Sequence, residues 1–215
     1  MVNGCMLTVM SEQAATRIER KERTRQALVD GTLELAADRG FAALSLREIA
    51  RSAGIVPTAF YRHFASLDDL GATLVDQGVT ALRLALREVR RNPEASIADT
   101  VRFVFDQVAA KRAVFGFLTR ERHGGSAALR KAIALELQLI VRELVADLSR
   151  VRALDDWSPR DLEIAADLLV GTVADGIAAY VAAEERDQRT IVDRTVQKVR
   201  LIALGMDNWW PPKDR

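Results

Sequence analysis

The sequence predicts an all-α protein, in which a three-helix N-terminal domain with a helix-turn-helix is joined to a C-terminal helical bundle. Apolar residues recur with the helical period through nearly the whole chain. No stretch of about four to eight residues alternates between apolar and polar side chains, which is the pattern of a half-buried strand. Helix-capping signals precede several of the periodic segments. They divide the chain into about nine predicted helices.

The N-terminal part is divided by a few short signals. Residues 1–16 precede the first strong pattern, and we predict that they form a disordered tail. Gly40 ends the first helix, because glycine is favoured just after a helix C-terminus. Ser45 and Glu48 match the S-x-x-E capping box, which places a second helix over about 46–53.

A turn at residues 53–55 follows, and Pro57 suits the first position of a third helix, over about 57–64. Two helices joined by a tight glycine turn are typical of a helix-turn-helix. The sequence therefore predicts a helix-turn-helix DNA-binding domain over residues 17–64.

Longer helices fill the predicted bundle, residues 65–207, and residues 208–215 are predicted to be a C-terminal tail. Three helices begin at capping signals: Ser66 with Asp69, Ser96 with Asp99, and Ser158 with Pro159 and Asp161. The sequences NPEAS and HGGS break the pattern. The predicted ranges are 66–91, 96 to the break at 123–126, 126–151, 159–184 and 188–206.

Composition excludes several classes of protein. The chain has 215 residues, 49% of them hydrophobic, and a net charge of +1, so its overall charge argues neither for nor against a nucleic-acid partner. Cys5 is the single cysteine, which excludes an internal disulfide and fits a reducing compartment. No apolar run approaches the roughly 20 residues of a membrane span, and the start lacks the basic region of a signal peptide. We expect a cytoplasmic protein without membrane contact.

No catalytic pattern is present either. Two histidines and one cysteine give no set of zinc ligands. The sequence has no G-x-S-x-G, no P-loop and no G-x-G-x-x-G motif. We expect no enzyme activity, no metal and no cofactor.

The segment GIVPTAFYRHF, residues 54–64, separates into faces when it is drawn as a helix with about 100° per residue. Pro57, Phe60 and Phe64 form one apolar face. Thr58 and Arg62 lie opposite, and Tyr61 and His63 lie on the two flanks. Such an arrangement suits a helix in the DNA major groove, with its outer centre at the bases and its flanks at the phosphates.

A cluster of basic residues lies just upstream, comprising Arg17, Arg20, Lys21, Arg23 and Arg25. A basic arm beside a helix-turn-helix suits phosphate contact. Taken separately, the arm is typical of a solvated tail and the short helix of an ordinary surface helix. Their combination with the capping box and the glycine turn favours DNA binding.

Residues 20–70 resemble the N-terminal domain of the TetR family of transcriptional regulators. The resemblance is carried by AADRGF at 36–41, LREIA at 46–50, AGI at 53–55 and FYRHF at 60–64. It implies that Tyr61 and His63 contact phosphates, and that Pro57, Thr58 and Ala59 approach the bases, with Arg47 and Arg62 as further candidates. Many family members have a lysine shortly after the last phenylalanine, whereas this chain continues with ASLDD.

The bundle offers apolar volume, but periodicity alone does not separate a core residue from a cavity wall. Its larger inward candidates include Phe103, Phe115, Phe117, Leu118, Leu139, Val173 and Ile177. Arg120, Arg122, Arg130 and Lys131 surround the turn GGS at 124–126, where the first amides of a helix favour anions. The basic cluster also suits a plain surface network of ion pairs.

A narrower resemblance is to the FabR/DesT-type repressors of unsaturated fatty-acid synthesis. It rests on FGFLTRER at 115–122, GGSAALR at 124–130, VPTAFYRHF at 56–64, DDLG at 68–71 and the Trp209-Trp210 ending. It implies a long-chain acyl-CoA in the bundle, with the acyl chain among the apolar candidates and the CoA phosphates near Arg120, Arg122 and Arg130. Two alternatives stay open, namely a different hydrophobic effector and a helical protein-interaction module without DNA binding.

The last two predicted helices are apolar on more than one face. Leu162, Ala166, Leu169, Val173 and Ile177 form one stripe, while Leu168 and Val181 lie outside it. One face is then available for a second subunit. The TetR resemblance implies a homodimer through these helices, which would present two recognition helices about one DNA turn apart to a palindromic operator.

Overall fold

The computed structural model describes residues 3–90 and 96–209, and within these ranges it contains nine α-helices and no strand. The predicted all-α class is therefore confirmed. The helices are α1 (Asn3–Arg39), α2 (Leu46–Ser52), α3 (Pro57–Phe60), α4 (Leu67–Arg90), α5 (Ile97–Ala110), α6 (Arg112–Gly124), α7 (Ala127–Leu148), α8 (Pro159–Ala182) and α9 (Glu185–Asp207). Short 3-10 turns lie at Phe41–Ala43 and Arg152–Leu154.

The chain divides into two compact units, residues 1–74 and 75–215. The division falls inside α4, whereas the sequence predicted a boundary between residues 64 and 65. The reason is packing, because Leu70 and Leu74 in the first turns of α4 are buried with the N-terminal unit.

Helix α1 begins at Asn3, so the predicted disordered tail over 1–16 is wrong for residues 3–16. After Gly4 this stretch contains no glycine or proline until Gly31, and nothing in it forces a break. The basic residues Arg17 to Arg25 consequently lie on α1 itself rather than on an arm before it. Residues 210–215 of the predicted C-terminal tail lie outside the described part of the chain.

The helix-turn-helix begins at the predicted capping box. The Ser45 hydroxyl accepts a hydrogen bond from the Glu48 amide, and the Glu48 carboxylate accepts one from the Ser45 amide at 3.0 Å. Hydrogen bonds from the Ser45 side chain, then from its backbone, are the main causes that lower the pKa of Glu48 to about 2. Gly54 closes the turn with φ 69°, a left-handed conformation that glycine adopts without steric strain.

Two predicted helix ranges differ in the structure. Helix α3 ends at Phe60, and the chain continues in hydrogen-bonded turns, with the Phe64 amide donating to the Phe60 carbonyl oxygen. The single helix predicted after Ser96 is two helices, α5 and α6, separated at Lys111 with φ −127°. The sequence around Lys111 has no glycine or proline, so the break has no local signal.

The core of the C-terminal unit is formed mainly by α5, α6, α8 and α9. Phe105 and Tyr180 pack edge to face with ring centroids 5.2 Å apart, beside Val108, Phe115 and Val199. Arg112 ends α8 by donating to the carbonyl oxygens of Val181 and Ala183 at 2.7 and 3.0 Å.

Helix α8 is long and apolar enough to cross a bilayer by length and composition, although only 28% of its most apolar stretch is buried. The prediction that no segment approaches a membrane span needs this correction. Interruption by Asp161, Glu163, Asp167 and Asp175 had hidden the apolar character of this helix.

Candidate nucleic-acid interface and apolar chamber

The N-terminal unit has a short exposed strip, formed by Pro57, Thr58, Tyr61 and Arg62, above two buried phenylalanines. Phe60 is fully buried and Phe64 nearly so, with ring centroids 5.7 Å apart. Thr58, Arg62 and Tyr61 are exposed, and 63% of Tyr61 is accessible. The predicted inner and outer faces of this segment are therefore as expected, except that Pro57 is exposed rather than part of the buried face. Pro57 stands at the first helical position, where the backbone turns it outward.

Arg25, one of the predicted DNA-binding residues, makes several contacts inside the N-terminal unit. Its guanidinium donates to the His63 carbonyl oxygen at 2.7 Å and to Thr73 Oγ1 at 3.3 Å. The same group lies 4.1 Å from the centre of the Phe64 ring, a cation–π contact. Arg25 therefore links the segment that follows α3 to α1 and to the start of α4.

The other basic candidates of α1 and α2 are accessible. Arg20, Lys21, Arg23 and Arg47 are all exposed, and Ala59 beside the strip is half-buried. Exposed cations on the elements next to the strip are suited to the phosphate backbone of DNA.

His63 is half-buried, and its Nδ1 atom is buried without a hydrogen-bond partner. Burial is the main cause that lowers the pKa of His63 below its ordinary value of 6.5, followed by the positive charges of Lys21 and Arg25. The imidazole is therefore neutral at pH 7 in the free protein. A phosphate at this position would oppose the neighbouring positive charges and favour the imidazolium form.

Asp69, near the start of α4, makes its hydrogen bonds within its own segment. The Asp69 carboxylate accepts a hydrogen bond from the Ala65 amide at 2.8 Å, and the Asp69 amide donates to the Ser66 hydroxyl at 3.1 Å. The amides of Ala65 and Asp69 are thereby satisfied within the segment that stands where many family members have a lysine.

The C-terminal unit contains an apolar chamber of about 160 Å³. Five of the predicted ligand-binding residues line it: Phe115, Leu118, Arg122, Val173 and Ile177. Within the described chain, Arg122 is the one charged side chain on its wall. The chamber thus takes an apolar body and offers one cation.

The other five predicted ligand-binding residues, including Arg130, do not line the chamber. On α6, Phe115, Leu118 and Arg122 are three to four residues apart and share a face, so Phe117 and Arg120 point elsewhere. Phe117 is buried in other packing and Arg120 is exposed. Phe103 is half-buried away from the chamber, and Leu139 is on the exposed side of α7.

The sequence analysis missed the wall that α4 contributes, formed by Gly78, Val79, Leu82 and Leu86. A Cβ atom on Gly78 would lie 2.5 Å from Leu118 Cδ1 and 2.9 Å from Val114 Cγ1. Glycine is therefore what allows α4 to approach α6 this closely. The spacing of apolar residues in α4 was visible in the sequence, but the same spacing occurs in a helix that packs in a core and in one that lines a cavity.

A second cavity, of about 410 Å³, adjoins the chamber and is more polar. The two share Arg122, Leu137, Val170 and Ala174. We call this second cavity the vestibule. Its other polar wall residues are His123, Arg130, Gln138 and Asp167. Arg130 donates to the Gly125 carbonyl oxygen.

Helices α8 and α9 expose an apolar face. Ile164 and Leu168 on α8 and Leu201 and Leu204 on α9 are each at least half accessible. A groove of about 360 Å³ between these helices is lined by Leu168, Ile202 and Met206 among others, and it ends at the Trp157–Trp209 pair. Val181, which the sequence placed outside the core stripe, packs against the core instead.

Comparison with known proteins gives the same two-part division. Residues 28–72 match the model described as bacterial regulatory proteins, tetR family, and residues 93–204 match the tetracyclin repressor-like C-terminal domain. The second match alone covers more than half of the chain.

Solved structures share the fold at low sequence identity. A transcriptional regulator from Rhodococcus sp. Rha1 is 23% identical over 86% of this chain and 96% of its own, with a TM-score of 0.65. A TetR-family regulator from Syntrophomonas wolfei is 15% identical over 86% and 97%, with a TM-score of 0.73. FadR from Bacillus subtilis, in complex with stearoyl-CoA, is 16% identical over 84% and 98%, with a TM-score of 0.65.

Both family matches are to regulatory proteins, which confirms the prediction that the chain is not an enzyme. The helix-turn-helix, the helical C-terminal unit and both family matches lead to one conclusion: the chain belongs to the TetR family of DNA-binding transcriptional regulators.

Proposed function

We propose that this TetR-family regulator is a homodimeric repressor of genes for fatty-acid or lipid metabolism, controlled by long-chain acyl-CoA. The observation that carries the proposal is the apolar chamber with a wall on α4, the helix that begins three residues after Phe64. One helix thereby follows the recognition segment and also meets the effector.

The DNA contacts are proposed from exposure and charge. Thr58, Ala59 and Arg62 approach the bases, while Tyr61 and His63 contact phosphates on either side. Arg47, Arg20, Lys21 and Arg23 add cations around them, and Pro57 approaches the bases at the start of α3. Arg25 is excluded from this set because its guanidinium is engaged within the unit.

The effector is proposed from the chamber and from two likenesses. The chamber wall is almost entirely apolar, the FGFLTRER segment resembles the FabR/DesT-type repressors, and FadR of Bacillus subtilis shares the fold and binds stearoyl-CoA. At about 160 Å³ the chamber is smaller than a long acyl chain, since a cavity of about 150 Å³ accommodates benzene. We propose that a long chain extends towards the adjoining vestibule and also pushes the chamber walls apart, including α4.

That displacement provides the control of DNA binding. An effector shifts the equilibrium only through its differing affinity for the two arrangements, and coupling energies of about 1–3 kcal/mol are usual. We propose that the filled chamber displaces α4 and changes the spacing of the two recognition helices in the dimer.

The second subunit is proposed to cover the apolar face of α8 and α9. Leu168, Leu201 and Leu204 form a patch that a second copy of the same helices would bury as an isologous interface. Such an interface would also account for the apolar composition of α8 without contact to a membrane.

Binding to the promoter DNA beside its own gene tests the DNA half of the proposal. Tyr61→Phe removes one hydrogen bond to phosphate and should weaken binding to all sequences alike, by about two- to tenfold. Thr58→Ala should instead change the preference among operator sequences. Fluorescence anisotropy over a range of salt concentrations measures both effects.

Tyr180→Phe is the matched control, because Tyr180 is the other tyrosine and is buried in the C-terminal unit. It should leave DNA affinity unchanged. Wild-type protein with no measurable DNA affinity at low salt would overturn the proposal.

The DNA affinity of the wild-type protein should rise as pH falls through the region below pH 6.5. The pKa of His63 is lowered in the free protein, and phosphate contact should raise it, so binding takes up a proton between those two values. The increase is limited to about tenfold per pH unit for one linked proton. Anisotropy titrations from pH 7.5 to pH 5.5 measure it.

His63→Gln should remove this part of the pH dependence. The same lowered pKa means that His63 favours the fold at higher pH, and this stability is lost as pH falls below 6.5. The DNA titrations therefore require a parallel check of folding by circular dichroism. Equal pH slopes for wild type and His63→Gln would contradict a phosphate contact at His63.

A small aromatic or drug-like effector is the second candidate, and the modest size of the chamber favours it. Native mass spectrometry of the purified protein separates the two candidates by the mass of the retained ligand. A chamber that neither retains nor accepts an acyl chain would overturn the acyl-CoA proposal and leave the regulator itself standing.

A further inference from the structure

We propose that Arg122 binds the acyl oxygen atoms of the effector, at the point where the apolar chamber meets the vestibule. The inference rests on the proposed effector function of this chamber and specifies the chemistry that the site recognises. The ligand class is an amphiphile whose apolar tail ends in a carboxylate or a thioester carbonyl.

The position of Arg122 carries the first step. It lies on the face of α6 that includes Phe115 and Leu118, and its side chain lines both cavities. On the chamber side the other lining residues are apolar apart from Thr100 and Thr119. On the vestibule side they include Gln138 and Arg130. Arg122 thus lies where an apolar space meets a polar one.

The present partner of Arg122 carries the second step. Arg122 Nη1 lies 3.6 Å from Asp175 Oδ1, which is longer than a hydrogen bond. The Asp175 side chain is 73% exposed, whereas that of Arg122 is 29% exposed. Exposed ion pairs of this kind are weak, because water screens them. Arg122 therefore has donors to offer to a ligand that enters from either cavity.

The geometry of guanidinium donors carries the third step. Arginine presents parallel N–H donors that match the two oxygens of a carboxylate, and it can also donate to a single carbonyl oxygen. A tail in the chamber would place its terminal oxygens at Arg122. The remainder of a larger head would continue into the vestibule, where His123, Arg130 and Gln138 offer further polar contacts.

Three ligands with one tail separate the possible sources of the acyl oxygen: dodecanoic acid, dodecanoyl-CoA and dodecanol. Each is titrated by calorimetry into the full-length protein below its micelle concentration. Arg122→Met should lower the affinity for dodecanoic acid by about ten- to a hundredfold, because a charge-assisted hydrogen bond is lost. The affinity for dodecanoyl-CoA should fall by about two- to tenfold, and the affinity for dodecanol should not change.

Two further variants keep the test decisive. Arg122→Lys retains the charge without the paired donors, so its affinity for dodecanoic acid should lie between those of wild type and Arg122→Met. Arg102→Met is the matched control, since Arg102 also forms a loose ion pair, with Asp193 at 3.5 Å, and lines neither cavity. It should bind all three ligands as wild type does.

Asp175→Asn should raise the affinity for dodecanoic acid by about a few fold, because the carboxylate that competes for Arg122 is removed. Unchanged or weaker binding by this variant would contradict the competition.

Unchanged dodecanoic acid affinity in Arg122→Met would overturn the inference, and so would an equal loss of all three ligands, which indicates packing. If the wild-type protein bound none of the three, the proposed effector itself would fail. These results are distinguishable, because the first two leave binding to the wild-type protein intact.

Discussion

Phe60→Ala is expected to destabilise the N-terminal unit by about 3–5 kcal/mol and to abolish operator binding. Phe60 is fully buried, and its ring contacts Phe64 with centroids 5.7 Å apart. Alanine leaves a cavity that the short α3 cannot close, because this helix has four residues and few other anchors. Thermal unfolding followed by circular dichroism measures the loss, and anisotropy measures DNA binding.

Tyr61→Ala is the matched control for this result. Tyr61 is the neighbouring aromatic residue, but 63% of it is accessible, so its removal should change stability by less than about 0.5 kcal/mol. It should still weaken DNA binding. If Phe60→Ala were as stable as Tyr61→Ala, the buried anchor assigned to Phe60 would be wrong.

Leu168→Glu is expected to convert the dimer to a monomer and to weaken binding to a palindromic operator by at least about a hundredfold. Leu168 is 53% accessible in the monomer and lines the groove between α8 and α9. In a two-fold interface each subunit would bury the new carboxylate, and both would do so without a partner. Sedimentation velocity measures the association directly.

Leu135→Glu provides the comparison, because Leu135 is equally accessible, at 50%, but lies on α7. This variant should remain dimeric and bind the operator normally. A dimeric Leu168→Glu protein, or a monomeric Leu135→Glu protein, would place the interface elsewhere.

The N-terminal unit was largely predictable because its signals are local. The capping box at Ser45 and Glu48 fixes the start of α2, Gly54 provides the left-handed turn, and the spacing of Phe60 and Phe64 fixes the buried side. The internal contacts of Arg25 were not predictable, because its partner His63 lies 38 residues away and no pattern within α1 reveals that pairing.

The C-terminal unit was predictable as helices but only in part as a site. Phe115, Leu118, Arg122, Val173 and Ile177 do line the chamber, whereas Phe117 and Leu139 do not. The periodic spacing of apolar residues identifies which side of a helix is apolar. Whether a cavity forms depends on how several helices cross. The break at Lys111 escaped prediction for the same reason, since the residues around it are all compatible with a continuous helix.

The close approach at Gly78 has a consequence for how this regulator can change by mutation. Every single-base change that replaces this glycine with another amino acid adds a Cβ atom, and that atom would lie 2.5 Å from Leu118 Cδ1. The side chains of Leu118 and Val114 must then shift, or α4 must move away from α6. If the filled chamber displaces α4 as proposed, a substitution at position 78 that moves α4 would imitate the bound effector, and a genetic selection for target genes that no longer respond to the effector should recover such substitutions.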